Sequence, residues 1–279
     1  MITENKINVD VKSNYTEQIR HKSTNFNSNL LRDSDINKQL MLWHNMQNEL
    51  VNIASHEMKT PIQSILAYSE LLLYKPYEVT TEYVEAIYRN ALRLQKLSNN
   101  LLDITRIENH AFTLKNEIFD LNELISRTIQ EFTRQIQVGV IENKDVTFLF
   151  STKDSLYVWA DKDRISQVIS NLIDNALKFT QEGSITIETK SHDNMAMISV
   201  RDSGVGISSQ IAPKLFSKFS TSEYNGTGLG LYISKAIIEK HGGRIWAENG
   251  IHKGATFLFE IPCITDLDLT HSRKHTVYF

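Results

Sequence analysis

The chain has 279 residues, 41% of them apolar, which is enough for real hydrophobic cores in one large domain or two small ones. Its formal net charge of -3 gives no general attraction for nucleic acid or for an anionic membrane surface. No apolar run approaches the roughly 18 residues of a membrane span. The N-terminus lacks a signal-peptide core, and the lone Cys263, which cannot form an internal disulfide, fits a reducing compartment or says nothing, so a cytoplasmic protein without a membrane span is the default expectation.

Residues 1–36 are rich in Asn, Ser, Asp, Lys and Thr without a sustained apolar period, and read as a flexible tail. From about Asp35 the pattern turns helical: Leu40, Trp43, Met46, Leu50, Ile53, Ile62, Ile65 and Leu66 form a stripe that runs to Leu73. Lys75-Pro76-Tyr77 stops it. A second helix begins after Thr80 or Thr81, and Val84, Ile87, Ala91, Leu94, Ser98 and Leu101 alternate steps of three and four in a coiled-coil-like seam. Leu97, Ile104 and Ile107 continue it. Two long helices joined by a short turn make an antiparallel hairpin over 37–110 that cannot bury both its faces alone. The expectation is a homodimer forming a four-helix bundle, with a monomer packed on its own second domain as the alternative.

From Ala111 the pattern mixes strands and helices up to residue 264. Strands are expected near Phe112–Phe119, at Val146–Phe150 and Tyr157–Ala160, and at Ser184–Lys190 and Met195–Arg201 joined through His192-Asp193-Asn194. Two more follow at Arg244–Glu248 and Thr256–Ile261. Helices are expected at Leu121–Ile136, with Asp120 as its cap, at Lys162–Phe179, and from Gly228 to His241. Strict βαβ alternation is lacking, so the fold class is an α hairpin followed by an α+β sandwich, one mixed sheet with helices on one face. Residues 265–279 read as a tail.

None of the eleven glycines precedes Gly139 and seven fall between Gly204 and Gly243, so tight turns and close backbone approach concentrate in the second domain. Four clusters there carry candidate chemistry. Asn171, Asn175 and Lys178 share one helical face; amide oxygens suit Mg²⁺ and the lysine suits phosphate, although a solvated polar face accounts for this cluster taken alone. Asp202-Ser203-Gly204-Val205-Gly206 ends an apolar strand, where a carboxylate can accept from an exocyclic amine such as that of adenine, or simply cap a turn. Phe216-Ser217-Lys218-Phe219 pairs aromatics around a base, a pattern that core packing also produces. Gly226-Thr227-Gly228-Leu229-Gly230-Leu231 opens an apolar helix whose first N–H groups could bind phosphate.

Rival patterns fail. There is no Gly-Lys pair for a Walker loop, Leu231 and Ser209 stand where a dinucleotide fingerprint needs glycine, and Thr60 stands where a zinc-protease motif needs histidine.

Together with Ser55-His56-Glu57-Met58-Lys59-Thr60-Pro61 on the first helix, these clusters resemble, in order, the H, N, first glycine, F and second glycine boxes of sensor histidine kinases of two-component signalling. The match covers roughly residues 38–262. The resemblance implies a dimeric phosphoacceptor hairpin and a gyrase-type ATP-binding domain, using ATP and Mg²⁺. It implies His56 as phosphoacceptor, Glu57 as its acid/base helper and Thr60 as the residue that positions water for dephosphorylating a regulator. Asn171 and Asn175 would hold Mg²⁺, with Lys178 near the phosphates. Asp202 would meet the adenine amine in a pocket shaped by Gly204 and Gly206. Phe216, Lys218 and Phe219 would flank the nucleotide, and Gly226, Thr227, Gly228, Leu229 and Gly230 would line its phosphate side.

The implied activity is autophosphorylation of His56 and transfer to an aspartate on a separate response regulator receiver domain. Mainly regulator phosphatase activity, or a non-catalytic nucleotide-binding scaffold, are the alternatives. An imidazole is largely neutral, and so nucleophilic, near neutral pH. Pro61 removes a helix donor and is expected to bend the helix beside the nucleophile. The chain departs from the family in its lid, where Ser220–Asn225 carries no Lys or Arg, and in Lys218, which stands where relatives often have arginine. No input or receiver domain is recognisable, so the stimulus is expected through the N-terminal segment, a separate sensory protein or chain beyond this sequence.

Overall fold

The computed structural model describes residues 51–74, 81–141, 145–152, 155–220, 227–250 and 253–264. Both expected tails, the stripe from Leu40 to Leu50 and the turn at Lys75-Pro76-Tyr77 lie outside these residues. The chain divides into a smaller unit, Met1–Ser55, whose described residues 51–55 are helical, and a larger unit, His56–Phe279.

In the larger unit, helical residues 56–74 (α1) are followed by α2, Thr81–Glu108. Helix α2 carries Glu82 in its first turn and Arg106 in its last, matching the helix dipole. Its buried residues are Ala86, Leu97, Asn100, Asp103 and Ile104. The expected seam is therefore buried in one chain only at Leu97 and Ile104. Val84, Ala91 and Ser98 are exposed, and Ile87, Leu94 and Leu101 are half-buried.

Among the described residues, seven strands and three α-helices follow: β1 (Asn116–Asp120), α3 (Leu121–Gln137), β2 (Asp145–Phe150), β3 (Tyr157–Asp161) and α4 (Lys162–Phe179), then β4 (Glu182–His192), β5 (Met195–Asp202), α5 (Gly230–Lys240), β6 (Arg244–Asn249) and β7 (Ala255–Pro262). The five-stranded sheet has the order β2-β4-β5-β7-β6, with β2 parallel to β4 and all other pairs antiparallel. This is the mixed sheet expected, except that β1 and β3 stay out of it as a separate antiparallel ribbon. The first strand is also shorter than expected, starting at Asn116. Phe112 owes its burial to tertiary packing, with the Arg164 guanidinium 4.8 Å from its ring centroid. The last helix begins at Gly230 because Gly228 holds a left-handed φ of 64° that cannot enter a helix.

Period-two alternation builds the core. Ala196, Ile198, Val200 and Asp202 of β5, with Ala255, Phe257, Phe259 and Ile261 of β7, face inward against Leu172, Ile173, Ala176, Ile233 and Ile237 of α4 and α5. The hairpin between β4 and β5 turns through Asp193 and Asn194, both left-handed, as a two-residue connection of twisted strands requires.

Two aspartates start α3 and α4. Asp120 Oδ1 accepts from Asn122 N at 2.9 Å, capping α3. Asp161 caps α4 through Arg164 N at 3.1 Å, and its other oxygen takes Lys115 N at 2.7 Å. His241, at the end of α5, locks this junction. Its Nε2 accepts Asp161 N–H at 3.0 Å, which puts the ring proton on Nδ1, 2.8 Å from the Ile237 carbonyl.

Burial pushes the His241 pKa down. An unfolded histidine titrates near 6.5, so from about that pH downward the unfolded state binds the extra proton and this part of the stability is lost as pH falls. The melting temperature is expected to decline between about pH 7 and 5.5, and His241→Gln should melt lower at pH 7 with a shallower decline, read by circular dichroism.

Candidate functional site

The site begins on α1. His56 is exposed, with 77% of its side chain accessible, and its Nδ1 lies 3.8 Å from Glu57 Oε1. Glu57 is tucked in, only 15% accessible, and its Oε2 lies 3.9 Å from Arg93 Nη2 of α2. Thr60 is exposed one turn after His56, and Pro61 is buried within the same helix. An accessible imidazole beside a sheltered carboxylate suits a nucleophile that must meet a second reactant and then shed a proton.

The second half of the site is a cavity of about 610 Å³ among α4, β5, α5 and the loops after β5, with Glu57, Arg93 and Lys96 on its hairpin side. Its volume suits an organic ligand of moderate size. From α4, Asn171, Asn175 and Lys178 face it at the spacing that one helical face provides. Asn171 is buried, and its Nδ2 donates to the Gly230 carbonyl at 3.3 Å and to Ser234 Oγ at 3.4 Å, tying α4 to α5 and leaving Oδ1 on the other side of the amide.

Asp202, the last inward residue of β5, is 4% exposed. Its Oδ1 accepts from Gly204 N at 2.9 Å and Ala255 N at 3.2 Å, leaving Oδ2 for a donor in the cavity. Burial raises the Asp202 pKa against the opposing pull of these hydrogen bonds. Close backbone packing makes the pocket wall. A Cβ on Gly204 would stand 2.2 Å from the Phe179 carbonyl oxygen, and one on Gly254 1.9 Å from the Asp202 carbonyl oxygen. Gly206 has a φ of 79°, and Asn249 pins the next residue by accepting Ile207 N at 2.7 Å and donating to Ile207 O at 2.9 Å.

The structure brings together Glu57, Asn171, Asn175, Lys178, Asp202, Gly206, Thr227, Gly228 and Gly230 around the cavity. It sets five others of the second-domain motifs apart from the lining. Gly204 shapes the wall from behind, Leu229 is buried in the core, and Phe216 and Phe219 are half-buried. Lys218 points elsewhere: its Nζ lies 2.5 Å from Glu108 Oε1 at the end of α2 and 5.1 Å from the Tyr232 ring centroid, while Tyr232 donates to the same carboxylate at 3.0 Å. Gly226 lies outside the described residues.

Ser220, Arg93 and Lys96 line the cavity without having been singled out from sequence, and Asn249 and Gly254 build its wall. The Ser220 hydroxyl is buried with no partner among the described residues, as expected of a group that meets a ligand. Only Gly254, lying between two expected strands, left a sequence signal, and that signal is the one any turn leaves.

Residues 46–110 match the His Kinase A (phospho-acceptor) domain, and residues 160–265 match the Histidine kinase-, DNA gyrase B-, and HSP90-like ATPase family. The chain is 31% identical over 229 residues to the sensor histidine kinase WalK of Bacillus subtilis, covering 77% of this chain and 36% of that protein. It is 30% identical over 230 residues to the sensor protein kinase WalK of Staphylococcus aureus (strain MRSA252), covering 78% and 37%. It thus spans little more than a third of these relatives. Among solved structures, histidine kinase ThkA in complex with response regulator protein TrrA aligns with a TM-score of 0.54 at 32% identity, covering 77% of this chain and 61% of that one. The histidine kinase AdeS of Acinetobacter baumannii aligns at 0.58 and 23% identity, covering 75% and 98%, a likeness of fold.

The pocket wall predicts a contrast between two glycines. Gly204→Ala should lower the melting temperature by several degrees, a cost of about 1–3 kcal/mol, because its Cβ meets fixed backbone. Gly230→Ala should hold or raise it, since the nearest atoms to its Cβ are those of the Asn171 side chain, at an ordinary 3.5–3.6 Å, and alanine favours a helix. Differential scanning calorimetry of both variants checks this.

Proposed function

We propose that this chain, which belongs to the sensor histidine kinases of two-component signalling, is an ATP-dependent protein-histidine kinase that phosphorylates His56 and passes the phosphoryl group to an aspartate of a separate response regulator. The observation that carries this reading is the cavity itself, in which Asp202 and the Asn171, Asn175 and Lys178 face of α4 meet Glu57, the residue beside His56.

The residues fit ATP. Asp202 Oδ2, beside an Oδ1 already spent on backbone donors, is an acceptor for the adenine amine. Lys178, the Thr227–Gly230 turn at the start of α5 and the Ser220 hydroxyl, without a partner among the described residues, suit phosphate oxygens. Asn171 and Asn175 would hold Mg²⁺, whose charge would offset that of the phosphates.

In the transfer, His56 Nε2 attacks the γ-phosphorus, the bond from that phosphorus to the ADP oxygen breaks, and ADP leaves. The imidazole then carries a proton on Nδ1, and Glu57, 3.8 Å away, accepts it. The nucleophile stays exposed because it must meet both a nucleotide and, afterwards, a regulator. Thr60, exposed on the same helix one turn on, is placed to orient water against a regulator's aspartyl phosphate, which supports a second, phosphatase activity.

Ile62, Leu66 and Leu73 of α1 and Val84, Tyr88 and Leu102 of α2 are exposed apolar side chains, the material for a four-helix bundle with a second copy. Among the described residues no helix is long and apolar enough to cross a membrane. Dependence on ATP supports a cytoplasmic location for this part of the protein.

Incubation with γ-labelled ATP and Mg²⁺ should give acid-labile, alkali-stable label that His56→Gln abolishes; bound nucleotide without label would make the chain a scaffold. Asp202→Asn should weaken ATP binding about 10- to 100-fold. Because burial raises the Asp202 pKa, its acceptor is neutralised at a higher pH than that of an ordinary aspartate. Affinity of the unmodified protein should therefore fall as pH is lowered towards the carboxylate range, and the Asn variant should show no such fall, measured by fluorescent nucleotide displacement.

A further inference from the structure

Two cations of the hairpin line the nucleotide cavity, Arg93 and Lys96, three residues apart on one face of α2. Each faces a carboxylate of a different element. Arg93 lies 3.9 Å from Glu57 on α1, and Lys96 pairs with Asp174 on α4, inside the Asn171–Asn175 turn. Lys96 and Asp174 are both in contact with water, so their pair adds little to stability and can exchange partners at little cost.

The face of α2 that presents these cations is fixed. Lys96, Asn100 and Asp103 follow at steps of four and three. Asn100 is buried at the cavity edge, and Asp103 takes Arg164 Nη1 at 2.8 and 2.9 Å and Gln167 Nε2 at 2.8 Å.

Among the described residues, the pocket's other basic groups leave a triphosphate under-matched. Lys178 lines the cavity, but Lys218 is turned onto Glu108 and Tyr232, and the sequence from Ser220 to Asn225 carries no Lys or Arg. A phosphoryl group in transfer needs cations aimed at its oxygens.

We propose that Arg93 and Lys96 of α2 are catalytic cations that bind the terminal phosphate of ATP during transfer to His56. The inference rests on the kinase reading above and deepens it. Without a terminal phosphate the two cations rest on Glu57 and Asp174. When the phosphate arrives, Lys96 leaves Asp174 for it and Arg93 leaves Glu57. Glu57 is then released to take the Nδ1 proton of His56. The base is thereby freed by the γ-phosphate itself, and ADP, which lacks that group, leaves both pairs in place.

The test compares an ATP analogue that cannot be hydrolysed with ADP, each displacing a fluorescent nucleotide from the full chain, alongside the initial rate of His56 labelling at saturating ATP. Lys96→Gln and Arg93→Gln should each weaken the ATP analogue about tenfold while leaving ADP within about twofold, and should slow labelling about tenfold or more. Asp174→Asn, which removes the competing carboxylate, should hold or increase the preference for the ATP analogue over ADP. Equal weakening of both nucleotides in the Lys96 and Arg93 variants, or no change in either, would overturn the proposal. The binding arm reads the outcome even if the unmodified protein fails to label His56, a result that would sink the kinase reading and leave the cation assignment to be judged by the nucleotides alone.

Discussion

The buried carboxylate of Asp103 is the contact on which the rest of the site depends. It is 3% exposed on α2, yet it belongs to a charged residue, and an isolated charge there would cost several kcal/mol. Its cost is met by Arg164, which reaches both of its oxygens from the first turn of α4, and by Gln167 one turn on. The guanidinium lies against the Phe112 ring, in the segment leaving α2, so a single side chain joins the hairpin, the connection and the ATPase domain. Removing one partner of such a pair is expected to cost about 3–5 kcal/mol because the other is left buried and uncompensated.

The orientation of α2 follows from that contact and from a second, at its C-terminal end, where Glu108 holds both Lys218 and Tyr232. Burial and this hydrogen bond drive the Tyr232 pKa upward, so the phenol remains a donor throughout the physiological range. With α2 set, its polar face meets the pocket. On the opposite wall, strict alternation along β5 delivers Asp202 to the same space after three apolar residues, and contacts that only glycine permits at 204 and 254 hold the surrounding backbone close. The pocket is in this sense the joint product of a strand period, two backbone approaches and one ion pair.

What the sequence made legible has local causes. The bounds of α4 could be read at Lys162 and Phe179 because an apolar period of three and four runs uninterrupted between them. Asp202 could be read because β5 alternates cleanly and then ends on glycine. The Asp193-Asn194 turn carries its own signature. What stayed hidden depends on partners far away in the chain. Nothing near Lys218 shows that Glu108, 110 positions earlier, captures it and turns it from the cavity. Phe112 reads as a strand residue because it is apolar, whereas it is buried beneath Arg164. Arg93 and Lys96 look like ordinary solvated residues of an amphipathic helix until Asp103 fixes which way that face points.

Asp103 pins α2 to α4 and thereby presents the hairpin to the pocket. Hydrogen–deuterium exchange of Asp103→Asn against the unmodified protein tests it most directly. Amides of α2 between Arg93 and Glu108 should exchange markedly faster in the variant, while those of β4, β5 and β7 keep their protection. Unchanged protection along α2 would contradict the account.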